Sequence, residues 1–497
     1  MTTIAVLPEV SQFLATAQGH FIDGRTETNS GPNRITLYNP ATGQALSSLN
    51  DSTLADVDRA VKSAHAAFVD RRWAGMRPAD REKILFKLSE LLIEHGEVLA
   101  QLETLNQGKS IHISRNVEVG ATAEFIRYIA GWTTKITGDT LDVSIAVPAH
   151  AKYTAYTRRE PVGVVAAIAP WNFPLSIAAW KTIPALAAGC SVVLKPASET
   201  PLTALYLAQL AHQAGVPDGV FNVLMGANGS MGQALVEHPL INKVTFTGST
   251  AVGKQVGHAA IEHMAHFSLE LGGKNPMIIM DDVSVATAVD GIIAGAFLNS
   301  GQVCAAASRI YIQRGLYADV KTALTEAVKG LSIGPGLDET AQIQPVVSKK
   351  HQQSILAHIA TAKAEGATVI SADYAASGDG YYVPPTLIID AKPDSSIIEH
   401  EVFGPVITLI VFDTVDEVIA AANDSEFGLA ASLWTNNLTH TMNMVPRIQA
   451  GTVWVNAHVP LDPAMPFGGV KQSGIGREFG KASVESFTEL KSVCIAH

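Results

Sequence analysis

The sequence predicts an α/β fold in which strands of a parallel sheet alternate with helices. From residue 162 onward, apolar strand-like runs and segments with helical spacing follow one another along the chain. The run 162–168 is apolar apart from one glycine, as expected for a strand that is covered on both faces. Open sheets of this kind bind ligands at the carboxyl ends of their strands, so we expect the functional residues there.

The N-terminal part is predicted to be helical, and a β-hairpin is predicted to follow it. Residues 54–68 and 79–103 repeat apolar side chains at helical spacing, and we expect the second segment to form one long amphipathic helix. After Gly138, apolar and polar residues alternate, which predicts a hairpin over 141–159 with one face to bury. This hairpin could cover its own domain or pair with another subunit, and the strand-like run 486–495 could join it.

The remaining elements are predicted from the same two periodicities. The strands that follow the first one are expected at 191–194, 220–224, 243–246, 267–271 and 277–280, with helices at 202–214 and from Ala251. A second α/β region is expected over about 275–470, with helices at 285–298 and 349–365 and a strand at 309–313.

Composition excludes several classes of function. The chain has 497 residues, of which 47% are hydrophobic and 16% are charged, so disorder is not expected. A net charge of −11 disfavours nucleic acid and anionic membrane surfaces as partners. The cysteines Cys190, Cys304 and Cys494 suit neither a disulfide framework nor a zinc site, so no metal is predicted. No Lys or Arg precedes Arg25, and no apolar stretch approaches the ~20 residues of a membrane span, so we expect a soluble cytoplasmic protein.

Two side chains are candidates for covalent and acid–base chemistry. Cys304 is flanked by small residues, so a substrate could approach its thiol closely; alternatively it is a small buried hydrophobic residue. Glu270 ends an apolar strand, where a carboxylate must be paired, protonated or functional. Burial would raise its pKa and suit it to act as a general base, whereas the alternative is a structural salt bridge.

Three further segments follow predicted strands directly. Asn172 lies in PWNFP (170–174), where its amide could donate to an oxyanion or simply occupy a turn. Lys195 could bind ribose or phosphate, or be a solvated loop residue. The segment 247–250 stands at a strand-to-helix junction, where it could hold a pyrophosphate or cap the helix.

Spacing alone does not establish a cofactor. Gly226, Gly229 and Gly232 are spaced GxxGxxG, whereas the dinucleotide fingerprint is GxGxxG. The sixteen histidines form no cluster, so a Cys–His hydrolase has no particular support.

Six motifs together resemble the aldehyde dehydrogenase superfamily, over nearly the whole chain. They are PWNFP (170–174), FTGST (246–250), LELGGK (269–274), GQVC (301–304), EVFGPV (401–406) and PFGG with SGIGRE (466–478). The resemblance implies a Rossmann-like nucleotide domain over 1–140 and 160–270 and an α/β catalytic domain over 271–470. It also implies a small β oligomerisation element over 141–159 and 480–497, and we expect a homotetramer.

The resemblance also assigns catalytic roles. Cys304 would be the nucleophile, and Glu270 would be the base that activates water to hydrolyse the thioester. The side chain of Asn172 and the backbone N–H of Cys304 would form the oxyanion hole. Lys181 and Glu478 match a pair near Glu270 that can relay its proton.

For the cofactor, the resemblance implies NAD. The residues that would contact it are Trp171, Lys195, Ser198, Ser249, Glu401 and Phe403. Lys195 would bind the adenosine ribose, Ser249 the pyrophosphate and Glu401 the nicotinamide ribose, with Phe403 beside the nicotinamide. Many NAD-preferring members have Glu where this chain has Ser198, and Ser would not repel a 2′-phosphate, so we expect NADP to be tolerated.

The substrate is expected to be an aromatic aldehyde. Segments 71–75, 113–115, 133–136 and 454–456 resemble the bacterial phenylacetaldehyde dehydrogenases, a group within the superfamily. Phe173, Trp180 and Phe467 fall where the family lines its substrate tunnel, and aromatic walls suit a flat ring.

The expected reaction is therefore oxidation of phenylacetaldehyde to the acid, in aromatic catabolism. Aliphatic or amino aldehydes are alternative substrates. A cysteine esterase or a non-catalytic structural homologue are alternatives of another class.

Overall fold

The computed structural model describes residues 3–28, 33–148, 150–227, 229–374 and 378–497. Within these ranges, two large sheets form the frame, each covered by helices on both faces. In order across the first sheet, its strands are Gly474–Ile475, His266–Glu270, Lys243–Thr247, Val164–Ile168, Ser191–Lys195, Phe221–Val223, His20–Ile22 and Arg25–Glu27. The central strands, from His266–Glu270 to Phe221–Val223, are parallel as predicted, whereas the edge strands pair antiparallel.

The second sheet lies entirely in the C-terminal half of the chain. Its strands, in order, are Thr368–Ser371, Thr386–Ile389, Val406–Phe412, Ala307–Gln313, Asn275–Ile279, Ala430–Trp434 and Thr452–Val455. The strand expected at 277–280 thus starts this sheet and does not continue the first one. Both sheets use the same apolar parallel-strand pattern, so the pattern placed this strand in the first series although a second α/β region was expected from about residue 275.

A small sheet and a hairpin complete the β structure. The small sheet orders its strands as Thr488–Ala496, Tyr153–Pro161 and Thr140–Leu141. The hairpin pairs Arg34–Tyr38 with Ala45–Asn50. The C-terminal strand therefore joins the strand at 153–161, as the sequence suggested.

The predicted hairpin over 141–159 is only partly present. Thr140–Leu141 pairs with Tyr156 and Ala155, and the residues that follow are not in a strand. The alternating apolar side chains Leu141, Val143, Ile145 and Val147 are exposed, and Val147 is 81% exposed. The described chain leaves all four side chains exposed, so the expected burial of one face is not met within a single chain.

The helices surround the sheets. The α-helices are Pro8–Ala15, Leu54–Val69, Pro78–Glu94, Gly96–Gln107, Ile111–Ile113, Thr122–Ala130, Pro174–Ala188, Leu202–Ala214, Gly229–Val236, Thr250–Ile261, Val285–Phe297, Arg314–Lys329, Lys349–Ala364, Ser396–Glu399, Val415–Asn423, Leu438–Met444 and Gly480–Glu485. Ser114–Ala121 is a π-helix, and Leu298–Gly301, Val445–Arg447 and Lys471–Ser473 are 3₁₀ turns. Among the residues that the structure describes, none of the helices has both the length and the apolar character that crossing a bilayer demands.

The single helix expected over 79–103 is wrong, because the chain bends at His95. One helix ends at Glu94 and the next begins at Gly96, with His95 at φ −90° and ψ 14°. A Cβ atom at Gly96 would lie 3.3 Å from Val119, so the glycine allows the bend to pack close to the π-helix. Glycine also has a lower helix propensity than the ordinary residues, which makes this the weak point of the run.

Candidate active site

The carboxyl ends of four parallel strands bring predicted site residues to one edge of the first sheet. Asn172 follows the strand Val164–Ile168, Lys195 ends the next strand, Ser249 follows Lys243–Thr247, and Glu270 ends His266–Glu270. The local pattern of an apolar run ending in a polar residue therefore did locate this edge.

A cavity of about 270 Å³ reaches the thiol of Cys304. Its wall is almost entirely apolar and includes the predicted substrate residues. Among the side chains that line it are Asn172, Phe173, Trp180, Cys304, Phe467 and Phe479. Cys304 is thus not sealed in a closed core, which was the alternative for a free cysteine.

A strained turn presents Cys304 to this cavity. Asn299, Ser300 and Gly301 all have positive φ angles, of 49°, 54° and 73°. A Cβ atom at Gly301 would lie 2.1 Å from the carbonyl oxygen of Gly404, so only glycine fits there. Ser300 Oγ donates to the carbonyl of Gln344 at 2.8 Å, which fixes the turn. Positive φ angles cost free energy at non-glycine residues, and the buried hydrogen bonds hold them in place.

Asn172 lines the same cavity as Cys304. Its side-chain Nδ2 donates to the backbone carbonyl oxygen of Gln302 at 3.1 Å. Its backbone carbonyl oxygen accepts from Asn299 Nδ2 at 3.0 Å. An amide nitrogen carries two hydrogens, so one N–H remains for an oxygen in the cavity. The structure thus brings residues 172 and 304 together, as the sequence predicted.

The thiol is protonated at neutral pH in this environment. Burial, together with the charges of the Glu401 and Glu270 carboxylates, raises the pKa of Cys304 to about 12. The thiolate is the nucleophilic form, so a base or a nearby cation is needed before the sulfur can attack.

Glu270 is close enough for its charge to act on the Cys304 thiol, although it is not part of the cavity wall. The residue is 5% exposed, and within the described part of the chain neither carboxylate oxygen has a hydrogen-bond partner. Burial raises its pKa well above the ordinary value, the charge of Glu478 adds to this, and Lys181 opposes it. A Cβ atom at Gly468 would lie 2.6 Å from the carboxylate, so glycine is needed to admit it. The salt-bridge alternative for Glu270 is therefore not what the structure shows.

Lys181 and Glu478 form the pair that the resemblance implied. Lys181 Nζ donates to Glu478 Oε1 at 2.6 Å and to Thr245 Oγ1 at 3.3 Å. Both side chains act electrostatically on Glu270, which places the pair beside the candidate base.

Glu401 and Phe403, which were expected to contact the nicotinamide, lie near Cys304: the Glu401 charge acts on its thiol, and both residues share a small pocket with Gly301 and Val303. Glu401 Oε1 accepts from the backbone N–H of Gly273 at 3.0 Å, and burial raises its pKa to about 7. The Phe403 ring packs edge-on against Trp171, with centroids 5.3 Å apart. His351, which the sequence did not suggest, donates from Nε2 to the carbonyl of Phe403 at 2.8 Å.

Lys195 is buried at the strand end, and its Nζ donates to the carbonyl of the adjacent Pro196, at 3.3 Å, its one hydrogen bond to the residues that the structure describes. A Cβ atom at Gly226 would lie 3.0 Å from Lys195 Cε, so the glycine makes room for the side chain. A buried ammonium with unused donors suits a hydroxyl-rich or anionic ligand. The solvated-loop alternative for Lys195 is excluded by its burial.

Ser249 and Ser198 are placed differently. Ser249 Oγ accepts from the backbone N–H of Val252 at 3.4 Å, so it caps the helix Thr250–Ile261. Capping was the alternative to pyrophosphate binding for this segment. Such a helix end, at the carboxyl edge of the sheet, remains suited to an anion. Ser198 lies with Glu199, Lys349 and Lys350 on an open cleft of about 700 Å³.

The substrate wall contains one aromatic ring that the sequence missed. Phe479 packs against Trp180 at 4.8 Å and against Phe467 at 6.5 Å between centroids, so it joins the predicted rings. Its signal was its position directly after the SGIGRE motif. His458 was also missed. It donates from Nε2 to the carbonyl of Ala305 at 2.8 Å, and burial lowers its pKa to about 4, which keeps it neutral.

Comparisons with known proteins agree with this geometry. Residues 26–493 match the profile of the aldehyde dehydrogenase family. The chain is 46% identical to phenylacetaldehyde dehydrogenase from Pseudomonas fluorescens over 478 residues, covering 96% of this chain and 95% of that protein. An NAD+ complex of aldehyde dehydrogenase from Bacillus cereus superposes with a TM-score of 0.96 at 43% identity, covering 99% of both chains.

A more distant relative has the same fold. Betaine aldehyde dehydrogenase from Staphylococcus aureus, in complex with NAD+, superposes with a TM-score of 0.94 at 35% identity, covering 98% of this chain and 95% of that chain. The cavity at Cys304, the buried Glu270 and these similarities along the whole length lead to one conclusion: the chain belongs to the aldehyde dehydrogenase family.

Proposed function

We propose that this protein oxidises an aldehyde, with phenylacetaldehyde as the preferred substrate, to the carboxylic acid with NAD or NADP. The observation that carries the proposal is the shared cavity of the Cys304 thiol and the Asn172 amide. The carboxylate of Glu270, which has no hydrogen-bond partner among the described residues, supplies a base.

The residues of the chain account for each step. The Cys304 thiol first releases its proton to solvent, which the positive charge of a bound nicotinamide would favour, and the thiolate sulfur then attacks the carbonyl carbon to form a thiohemiacetal. The free N–H of Asn172 and the backbone N–H of Cys304 stabilise its oxyanion, and one such donor contributes about 3 kcal/mol. A bound nicotinamide supplies the hydride acceptor, and a thioester on Cys304 remains. Glu270 then takes a proton from water, whose oxygen attacks the thioester and releases the acid and the Cys304 sulfur.

The base also decides the product class. A buried carboxylate of raised pKa beside the thioester favours hydrolysis, whereas acyl transfer to coenzyme A needs no such base. We propose that the proton taken by Glu270 passes on toward Glu478 and its partner Lys181, since these two have the largest electrostatic effects on Glu270 among the titratable groups that act on it. The product is then the free carboxylic acid.

The residues that would hold the cofactor fit a nicotinamide dinucleotide. Lys195 has unused donors for the adenosine ribose, and Ser249 caps a helix that suits the pyrophosphate. The charge of Glu401 acts on Cys304 and the rings of Trp171 and Phe403 are in contact, which supports a nicotinamide beside them. The NAD+ found in the Bacillus cereus relative supports this choice.

The cavity wall favours an uncharged aromatic substrate. Among its lining residues there is no Asp or Glu that could balance a cationic aminoaldehyde. Phe173, Trp180 and Phe467 provide flat aromatic surfaces, and a pair of stacked rings contributes about 1 kcal/mol beyond the area it buries. The phenylacetaldehyde activity of the Pseudomonas fluorescens relative supports the same substrate.

A substrate series tests the proposal. Formation of reduced cofactor should be measured with phenylacetaldehyde, benzaldehyde, hexanal and an aminoaldehyde. We expect kcat/KM for phenylacetaldehyde to exceed that for the aminoaldehyde by roughly 100-fold or more, because burying an unpaired ammonium is costly. A higher value for the aminoaldehyde or hexanal would reject the substrate. Ester turnover without any cofactor reduction would instead point to a hydrolase, and no turnover at all to a non-catalytic homologue.

Cofactor choice gives a second prediction. Ser198→Glu is expected to raise KM for NADP about tenfold or more, because a carboxylate there would repel the 2′-phosphate. KM for NAD should stay the same or fall, since the new carboxylate can accept from the ribose hydroxyls. Initial rates at varied concentrations of both cofactors provide the measurement. The idea fails if the parent enzyme cannot use NADP, or if the variant uses it equally well.

We further propose that segments 141–159 and 480–497 form an oligomerisation element of a homotetramer. The exposed apolar side chains at 141–147 support this, since a partner chain would remove them from water. The catalytic domain over 271–470 would then contain the second large sheet, and the nucleotide domain over 1–140 and 160–270 would contain the first apart from its edge strand Gly474–Ile475.

A further inference from the structure

A buried group of charges lies directly behind Asn172. Lys109, Glu118 and Glu103 are each at most 1% exposed, and none of them was suggested by a motif. Lys109 Nζ pairs with Glu118 Oε1 and lies 3.3 Å from Glu103 Oε1. It also donates to the backbone carbonyl oxygen of Asn172, at 2.8 Å. The ammonium group thus makes one hydrogen bond to Glu118 and one to Asn172, and it forms an ion pair with Glu103.

Glu118 connects the same group to the helix that follows Asn172. Its Oε2 accepts from the backbone N–H of Ser176 at 2.9 Å. Ser176 is the third residue of the helix Pro174–Ala188, whose N-cap residue Phe173 makes no side-chain capping bond. Glu118 thus satisfies a helix-start N–H from outside the helix, and its negative charge suits the positive end of the helix dipole.

Together the two charges hold both ends of a short segment that carries site residues. Lys109 holds the carbonyl of Asn172, and Glu118 holds the start of the helix that follows Phe173. The Lys109 ammonium also lies 4.4 Å from the centre of the Phe173 ring. The Asn172 amide can serve an oxyanion only if its direction is fixed, because the stabilisation depends on preorganised donors.

We infer that Lys109 and Glu118 are positioning residues for this reaction, which hold the Asn172 amide in the direction that the oxyanion requires. The inference rests on the proposed function. A buried ion pair is weak evidence of stabilisation, because the loss of hydration offsets much of its attraction. The contacts of this ion pair with the Asn172 carbonyl and the Ser176 N–H indicate that its role is to position the segment rather than to stabilise the fold.

The test removes both charges at once. A single substitution would leave an uncompensated buried charge, which is strongly destabilising, so Lys109→Met is combined with Glu118→Gln. Met fills the space of the lysine stem, and the Gln carbonyl can still accept from Ser176. We expect kcat/KM for the aldehyde to fall about 10- to 100-fold, because small misplacements of a catalytic donor cost that much. KM for the cofactor and the thermal midpoint should change little.

A cycle with Asn172→Ala separates positioning from a merely structural role. That substitution alone should lower kcat roughly 100-fold and leave a measurable rate. In its background, Lys109→Met/Glu118→Gln should cost less than about threefold, because interacting sites are not additive. An equal cost in both backgrounds, or no cost in the parent, would overturn the inference.

A nearby ion pair provides the matched control. Arg115 lies on the same π-helix as Glu118 and pairs with Glu97 at 2.8 Å, without contacting residue 172. Arg115→Met/Glu97→Gln should leave kcat/KM within about twofold of the parent, as substitutions away from buried networks do.

The remaining outcomes also decide the matter. If Lys109→Met/Glu118→Gln does not fold, Glu103→Gln is added to remove the one carboxylate that remains in this buried group. Failure of that triple variant to fold would show a structural role and overturn the inference. If the parent enzyme itself reduces no cofactor with any aldehyde, the proposed function fails, which is a different result from a fully active double variant.

Discussion

Cys304→Ala is expected to abolish aldehyde oxidation, with kcat lower by roughly 10⁴-fold or more. The sulfur is the group that would form the covalent bond to the substrate, and alanine cannot replace it. The measurement is the absorbance of reduced cofactor with phenylacetaldehyde as substrate. Cofactor binding, followed by fluorescence quenching, should persist, because Trp171, Lys195 and Glu401 are unchanged.

Cys494→Ala is the matched control for this prediction. Cys494 is exposed on the strand Thr488–Ala496, away from the cavity, so its substitution should leave kcat unchanged. Substantial dehydrogenase activity in Cys304→Ala would contradict the covalent mechanism. Loss of activity in both variants would indicate general damage to the protein.

Glu270→Gln is expected to stop the reaction after the thioester forms. Rapid mixing should show a burst of about one reduced cofactor per active subunit, followed by a steady rate lower by roughly 10²- to 10⁴-fold, the usual contribution of a general base. Glutamine keeps the shape of the side chain but cannot take a proton from water. A slow single phase without a burst would instead place Glu270 in the attack step, as the base that deprotonates Cys304.

The same residue sets the expected pH dependence of turnover. Glu270 acts as a base only when ionised, and burial and Glu478 raise its pKa well above the ordinary value. The rate should therefore increase with pH through that raised pKa, above the range where an exposed glutamate titrates. In Glu270→Gln this rise in the hydrolysis rate should disappear. The exposed Glu262 serves as control, since Glu262→Gln should leave the pH profile unchanged.

The carboxylate also couples stability to pH. A raised pKa means that ionising Glu270 is harder in the folded than in the unfolded chain. Its ionisation therefore lowers the free energy of unfolding as pH increases from the ordinary glutamate pKa toward the raised one. A buried ionised carboxylate at this position therefore costs stability, and glutamine should not carry that cost.

Much of the catalytic arrangement was visible in the sequence because it is local. Apolar runs that end in polar residues predicted the strand ends carrying Asn172, Lys195 and Glu270. The motif GQVC placed Cys304 after a glycine, and the structure shows why, since no Cβ atom fits at Gly301. The resemblance also paired Lys181 with Glu478, which lie almost 300 residues apart and are in contact.

Other features depended on contacts that no local pattern encodes. The apolar residues at 141–147 alternate as in a covered strand, yet the described chain leaves them exposed. The strand Asn275–Ile279 has the same pattern as its predecessors, but it pairs in the second sheet. Periodicity shows that a segment has an apolar face to bury. It does not show which other segment packs against that face.

What the sequence by itself determined was the α/β architecture, the family and the candidates for the reactive residues, because these depend on local periodicity and on motifs with fixed spacing. Only the tertiary structure decided that Lys109 contacts Asn172, that Phe479 packs against Trp180 and that Lys181 pairs with Glu478 beside the buried Glu270. Each of these facts is a distance between segments far apart in the chain, and such distances are set by packing and by the burial of charge.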